Sequence, residues 1–340
     1  MPTTRVALIG FGRIGRNLFR ILYRSSDIEV VAISDVADHA SIEYLLRFDT
    51  SLGRFPDEVA VHNGNLYVMG RQIPLISDQG PDALPWKALG VDVVIEATAR
   101  NRTRAQLERH LEWGAKRVIL CAPASEPPDI TVVMGANDQD LKAEHRILSK
   151  GSCTSQCAVP VLKTLQEAFG IERAFLSTVH AYTNQQRLAD VPAKDKRRGR
   201  AAAQNIIPQE SDAAGLVERL LPELKGRLTS MAMNVPVSDG SVVDLVCWHE
   251  KPMSVGAVNE VIRTAAASRW PGILDYETEP IVSSDVLRST YSGTFDSLAT
   301  MALGEKVSKT LTWFDNGWGY AHRVVELIDR LSQLDKEATS

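Results

Sequence analysis

Short apolar runs alternate with amphipathic stretches through the first half of the chain. Val6–Ile9 is apolar throughout and leads into the glycine-rich Gly10–Gly15. Arg16–Tyr23 then carries Leu18, Phe19, Ile21 and Leu22, a helical spacing. Glu29–Ile33, Val91–Ile95, Val118–Cys121 and Ile130–Met134 read as further buried strands, with a helical stretch, Arg104–Trp113, before the third of them. Val59–Ile76 reads as hairpin material, with Asn63-Gly64 as a type I′ turn signal. Strand and helix in this rhythm predict a parallel sheet wrapped by helices on both faces.

The second half has a different texture. Longer strand-like runs occur at Ala174–Val179, Leu228–Val235, Val242–Trp248 and Val307–Phe314, with helical patterns such as Val255–Ala267 between them. They predict a mostly antiparallel or mixed sheet with helices on one face, an α+β domain. The fold class is therefore α/β, with a doubly wound N-terminal domain and an α+β second domain. Asp335–Ser340 reads as a frayed tail.

Composition narrows the function classes. The 340 residues are 44 % hydrophobic and 24 % charged, which suits two packed domains and not a disordered chain. Lys plus Arg number 38 and Asp plus Glu 42, a net charge of −4 that argues against nucleic acid or an anionic membrane as the main partner. No apolar run approaches a membrane span, the N-terminus lacks a signal-peptide pattern, and four cysteines are too few for a disulfide framework. A cytoplasmic protein is expected. The densest basic stretch, Lys194–Arg200, reads either as a solvated loop or as an anion-binding or subunit-contact segment.

Two motifs carry chemistry. Gly10, Gly12 and Gly15 form G-x-G-x-x-G between a strand and a helix, so that Gly10–Gly15 can turn tightly against a pyrophosphate at the helix N-terminus. Asp35 ends the second strand; its carboxylate can accept from ribose hydroxyls and would repel a 2′-phosphate, which favours NAD over NADP. The plainer readings are turn chemistry for the glycines and a helix cap for Asp35. The second motif is SKGSCTSQCAVP at Ser149–Pro160, which sets Cys153 near a helix N-terminus, where dipole and backbone amides favour a thiolate. Cys157, one turn on, reads as a buried structural thiol, and Cys121 and Cys247 as core. His180, at a strand end, is a candidate base, ranked from spacing only slightly above His145, His249 and His322.

With these residues in view, the chain resembles the glyceraldehyde-3-phosphate dehydrogenase family over essentially its whole length. The landmarks are GFGRIGR at Gly10–Arg16, SCTSQC at Ser152–Cys157, HAYTNQQR at His180–Arg187, RAAAQNIIP at Arg200–Pro208, SVVDL at Ser241–Leu245 and DNGWGYAHR at Asp315–Arg323. Leu45–Phe55 and Leu84–Val91 are also similar to the sister enzyme erythrose-4-phosphate dehydrogenase. The resemblance implies a Rossmann NAD-binding domain at residues 1–152 plus 316–340 and a catalytic domain at 153–315. It implies Cys153 as nucleophile and His180 as base. NAD would be held by Gly10, Phe11, Gly12, Arg13, Ile14, Gly15, Asp35, Thr98 and Asn316. Thr183 and Arg200 would hold the substrate phosphate, and Ser152, Thr154 and Ser211 the inorganic phosphate. No metal is implied. A homotetramer is, with the segment 188–207 at a subunit interface.

The departures cluster at the anion sites. Asn234 stands where the family keeps an arginine between the two anion sites and is expected to bind phosphate there through one hydrogen bond, without charge; Asp212 stands where the family has glycine, and Gln185 where it commonly has an acidic residue. Phe314 and Gly317 flank Asp315-Asn316 in place of a tyrosine and a glutamate, and the cofactor loop reads Thr98-Ala99 in place of Thr-Gly. The implied reaction is phosphorylating oxidation of glyceraldehyde 3-phosphate. The alternatives are the same chemistry on erythrose 4-phosphate or another aldehyde, and a non-catalytic NAD-binding paralogue with a regulatory role.

Overall fold

The computed structural model describes residues 3–77 and 84–339. The chain divides into two compact units: Met1–Val132 with Asp138–Gly151 and Ala321–Ser340, and Val133–Asn137 with Ser152–Tyr320.

The first unit is built on a nine-stranded sheet. From one edge its order is Ile130–Thr131, Ile147–Ser149, Arg117–Leu120, Val93–Glu96, Thr4–Ile9, Ile28–Asp35, Arg71–Ser77, Asn65–Val68 and Val59–His62. Every pair as far as Arg71–Ser77 is parallel; the last two strands add on antiparallel. The central strands are apolar without alternation because both faces are covered, and Val6–Ile9 and Val93–Glu96 are buried throughout. The glycine loop and Thr98 follow strands that are direct neighbours, Thr4–Ile9 and Val93–Glu96, so the topology brings their carboxyl ends together.

The hairpin expected at Val59–Ile76 is one strand longer. Asn63 and Gly64 take positive φ angles of 50° and 74°, as a type I′ turn requires. A second such turn at Met69 and Gly70 (50° and 74°) returns the chain as Arg71–Ser77, which joins the parallel sheet beside Ile28–Asp35. Of the run Ile130–Met134, only Ile130–Thr131 pairs as a strand. The frayed tail is a correction. The last helix runs Trp318–Thr339, and Asp335 on it accepts both terminal nitrogens of the buried Arg117 at 2.6 and 2.5 Å. A bidentate ion pair fastens that end.

The second unit holds a seven-stranded mixed sheet in the order Ile207–Glu210, Leu228–Val235, Arg173–Ala181, Ser241–Trp248, Val307–Phe314, Gly293–Leu303 and Leu274–Glu277. Two of its pairings are parallel, Arg173–Ala181 with Leu228–Val235 and Leu274–Glu277 with Gly293–Leu303; the rest are antiparallel. The helices Cys153–Phe169, Ala213–Leu220 and Val255–Ser268 share one core with the buried side of this sheet, around Leu162, Val217, Ile262 and Phe295. Gly293–Leu303 was not legible as a strand: it carries Gly293, Thr294, Asp296 and Ser297, all buried. Among the described residues no helix is long and apolar enough to cross a membrane, and no cluster of His, Cys, Asp and Glu could hold a metal ion.

Candidate active site

Gly10 ends the first strand with φ +85°, and a Cβ there would stand 2.9 Å from the Thr98 backbone nitrogen. Gly15 lies in the helix Arg13–Leu22, where a Cβ would meet the Gly10 carbonyl oxygen at 2.1 Å. Side chains at either position would push the loop apart. Gly12, at the N-cap, is exposed and would meet nothing within 4 Å, so this part of the loop is open to an approaching group. The Asp35 carboxylate accepts from Phe11 N–H at 2.5 Å and from Ala37 N–H at 2.8 Å. Loop, helix start and carboxylate together fit a dinucleotide.

Thr98 is held by a residue that the sequence did not single out. Buried Glu96 accepts from the Thr98 amide at 2.8 Å, from its hydroxyl at 2.5 Å and from Asn101 Nδ2 at 3.0 Å. Ala99 follows at φ +57°, a left-handed conformation that glycine adopts without a Cβ clash. Three bonds to Glu96 hold the strained turn in place.

In the second unit, Cys153 is the first residue of the helix Cys153–Phe169. Ser152 caps it reciprocally with Ser155. The Cys153 Sγ lies 3.5 Å from His180 Nε2. His180 Nδ1 faces the Ala181 carbonyl oxygen at 2.6 Å, which assigns the proton of the neutral ring to Nδ1 and leaves Nε2 to accept from the thiol. Two of the other candidates are occupied elsewhere: His249 lies between Gly170 O and Ser308 Oγ, and His145 accepts from Lys142 N–H.

Two opposing influences act on the Cys153 thiol. Burial pushes the Cys153 thiol up to about 12, against the lowering by the amides of Thr154 and of Cys153 itself, and Asp239 and Asp315 push it further up. Desolvation of a charged sulfur outweighs the helix start. The sulfur meets this desolvation in contact with the His180 imidazole. Cys157 is fully buried with Sγ 3.6 Å from Thr312 O, as a structural thiol should be; Cys247 is buried, and Cys121 is partly exposed.

Asn316, 8 % exposed, follows the strand Val307–Phe314 and accepts from Ser241 Oγ at 3.2 Å. The same hydroxyl accepts from Ala181 N–H at 3.0 Å. Ser241 therefore links Asn316 to the strand end that carries His180, a role that its place in the SVVDL landmark did not indicate. Asp315 caps the last helix through Gly317 N–H and Trp318 N–H.

The residues expected at anion sites are more dispersed in their partners. Thr183 bonds to Gln186 through amide and hydroxyl. Arg200 is exposed and pairs with Asp190 at 3.1 Å. Ser152 Oγ is engaged in the cap, Thr154 is 7 % exposed, and Ser211 Oγ accepts from Ala213 N–H. Asp212 faces Arg219 at 3.7 Å on the surface. Asn234 is buried, with Nδ2 on the Ala181 carbonyl oxygen at 3.1 Å. Of the candidates, Cys153, His180, Asn234 and Asn316 are joined through the Ala181 peptide and Ser241.

Two family models match the chain. One, described as the glyceraldehyde 3-phosphate dehydrogenase NAD binding domain, matches residues 4–104, and one described as the C-terminal domain matches residues 152–316. A glyceraldehyde-3-phosphate dehydrogenase of Geobacillus stearothermophilus is 48 % identical over 325 residues, covering 95 % of this chain and 96 % of its own. The chain belongs to the glyceraldehyde-3-phosphate dehydrogenase family. Relatives with that name from Thermotoga maritima (47 % identity; 97 % and 99 % coverage) and Mycobacterium leprae (44 %; 96 % and 98 %) match equally fully. As a member of this family the protein is an NAD-dependent dehydrogenase, with a Rossmann domain followed by a mixed-sheet domain.

Proposed function

We propose that the protein oxidises glyceraldehyde 3-phosphate with NAD and inorganic phosphate, giving 1,3-bisphosphoglycerate. The observation that carries this reading is the Cys153 thiol 3.5 Å from the Nε2 of a histidine whose Nδ1 is already committed. The Cys153 sulfur adds to the aldehyde carbon as its proton passes to His180 Nε2, and the imidazolium then gives that proton to the former carbonyl oxygen, leaving a neutral thiohemiacetal and a free imidazole. His180 next takes the hydroxyl proton as the C–H bond breaks and the carbonyl re-forms as a thioester. Bound NAD supplies the hydride acceptor for that oxidation. A phosphate oxygen then attacks the thioester carbon, and the Cys153 sulfur leaves and regains its proton from His180. Asn316, fixed by Ser241, is the residue to orient a nicotinamide carboxamide, and Asp35 the one to accept from ribose hydroxyls.

In this reading residues 1–152 with 316–340 bind NAD and 153–315 carry the chemistry. Thr183 and Arg200 hold the substrate phosphate; Ser152, Thr154 and Ser211 serve the inorganic phosphate. A cytoplasmic homotetramer follows from family membership. Phe175, Met231, Leu298, Met301 and Leu303, exposed on the mixed-sheet unit, suit burial against other copies.

One observation favours a second substrate. Asn234 brings no charge and is turned to a backbone carbonyl, so a phosphorylated aldehyde has one cation fewer to grip it. A less charged aldehyde then competes as the preferred substrate, while erythrose 4-phosphate, which carries the same phosphate, stays an alternative on the resemblance alone. NAD reduction with a panel of aldehydes, with and without phosphate, decides between them. Phosphate-dependent reduction fastest with glyceraldehyde 3-phosphate is expected; absence of reduction with every aldehyde refutes the reading and leaves the non-catalytic alternative. Cys153→Ser must abolish turnover while NAD binding persists.

A further inference from the structure

Asn234 stands opposite His180 in the parallel register between Leu228–Val235 and Arg173–Ala181. Its side chain is 6 % exposed, and its Nδ2 donates to the Ala181 carbonyl oxygen at 3.1 Å. The same oxygen accepts from His180 Nδ1 at 2.6 Å. A carbonyl has two lone pairs, so it can serve both donors at once. The peptide after Ala181 is fixed from its other end as well, since Tyr182 N–H donates to Val237 O at 3.0 Å. Asn234 and Val237 flank Val235-Pro236, so one short segment holds both polar ends of this peptide.

We infer that Asn234 is a positioning residue for His180: its amide fixes the Ala181 carbonyl, which keeps the imidazole proton on Nδ1 and Nε2 turned to Cys153. The inference rests on the Cys153–His180 reading above and gives Asn234 a role other than the anion contact expected of its position. An imidazole in contact with a thiol has two neutral forms, and only the one with an unprotonated Nε2 can accept the thiol proton. The acceptor at Nδ1 selects that form. Without Asn234 the carbonyl loses one of its two fixed donors and the peptide can tilt. The alternative tautomer then sets an N–H against the S–H, and deprotonation stalls. The cost falls on every substrate alike, because it concerns the sulfur before any substrate binds.

That uniformity separates positioning from anion binding. The variants are Asn234→Leu and Asn234→Asp, close in volume and lacking the N–H donor, and Asn234→Arg, which keeps N–H donors. Each is checked for folding by its NAD affinity. Iodoacetamide alkylation of Cys153 is followed against pH without aldehyde, and kcat and KM are measured with glyceraldehyde 3-phosphate and with unphosphorylated glyceraldehyde. Asn234→Leu and Asn234→Asp are expected to alkylate about 5-fold more slowly at neutral pH, with the profile displaced to higher pH. Their kcat should fall by about the same factor with both aldehydes while each KM stays within about twofold. Asn234→Arg should recover the alkylation rate. The inference is overturned if alkylation is unchanged in the donor-free variants, if only KM for the phosphorylated aldehyde rises, or if Asn234→Arg alkylates as slowly as Asn234→Leu. Should one donor-free variant not fold, the other decides. If the unmodified protein reduces NAD with no aldehyde, the proposed function fails, and the alkylation profile still decides the role of Asn234.

Discussion

The Asp35 carboxylate accepts the backbone N–H of Phe11 at 2.5 Å, so the acidic residue at the end of the second strand also fastens the glycine loop at the end of the first. The two strands are parallel neighbours, with Ile9 beside Ser34. In the proposed function, where Asp35 holds the ribose and the loop the pyrophosphate, one carboxylate would position both.

Asp35→Ala should therefore weaken NAD binding by about 10-fold or more, since it removes charge-assisted bonds both to ribose and within the loop. The gap between NAD and NADP should narrow as the repulsion of a 2′-phosphate is lost. Titration of both cofactors by fluorescence checks this; comparable affinities for NAD and NADP in the unmodified protein would contradict the assignment.

Asp239, 7 % exposed and accepting Gly240 N–H at 2.9 Å, is one of the two carboxylates that push the Cys153 thiol up. Asp239→Asn keeps the acceptor and removes the charge. The thiol should then ionise more readily, and iodoacetamide should alkylate Cys153 about threefold faster or more at neutral pH, half a pKa unit or beyond. A slower or unchanged rate would show that Asp239 exerts no field at the sulfur.

Lys150 is fully buried, with Nζ donating to Val132 O at 3.2 Å. Burial, assisted by the charge of Arg323, pushes its pKa down to about 7 from 10.5, although Glu326 and Asp138 pull it back. Between these values the unfolded chain binds the extra proton, so folding stability rises with pH across that window. The contribution is full above 10.5 and is lost as pH falls through 7. Lys150→Met, which has no proton to bind, should raise Tm most at pH 6.5 and progressively less towards pH 9. A Tm difference independent of pH would mean that the ammonium is fully compensated where it lies.

Arg117, 7 % exposed, donates to Asp335 and to the carbonyls of Ala143 and His145. Asp335→Ala leaves a buried guanidinium without its counter-charge, at a cost of about 1–3 kcal/mol. Thermal unfolding should show a Tm lower by a few degrees, while an exposed control such as Lys336→Ala changes it little. Equal effects would mean that Asp335 belongs to a solvated helix end.

The chain by itself determined which segments are strands and helices wherever apolar periodicity was strong, as at Val6–Ile9, Val307–Phe314 and Val255–Ser268. It also determined the glycine loop, because φ +85° at Gly10 and the 2.1 Å approach at Gly15 are demands that only glycine meets, and they recur wherever a strand turns into a helix over a phosphate. The nucleophile was legible because a helix start leaves a local signal of small and polar residues. Partners far apart in sequence left no such signal. Spacing left His180 among four histidines; the resemblance named it, and the tertiary structure sets it against Cys153. Tertiary structure alone decided that Ser241 joins Ala181 to Asn316 and that Glu96 holds Thr98. It alone decided that Asn234 faces a carbonyl and that the supposed tail is pinned by Arg117. It also set a second influence against the helix start at the Cys153 thiol: the helix start is a property of neighbouring residues, whereas desolvation is set by everything that packs around the sulfur.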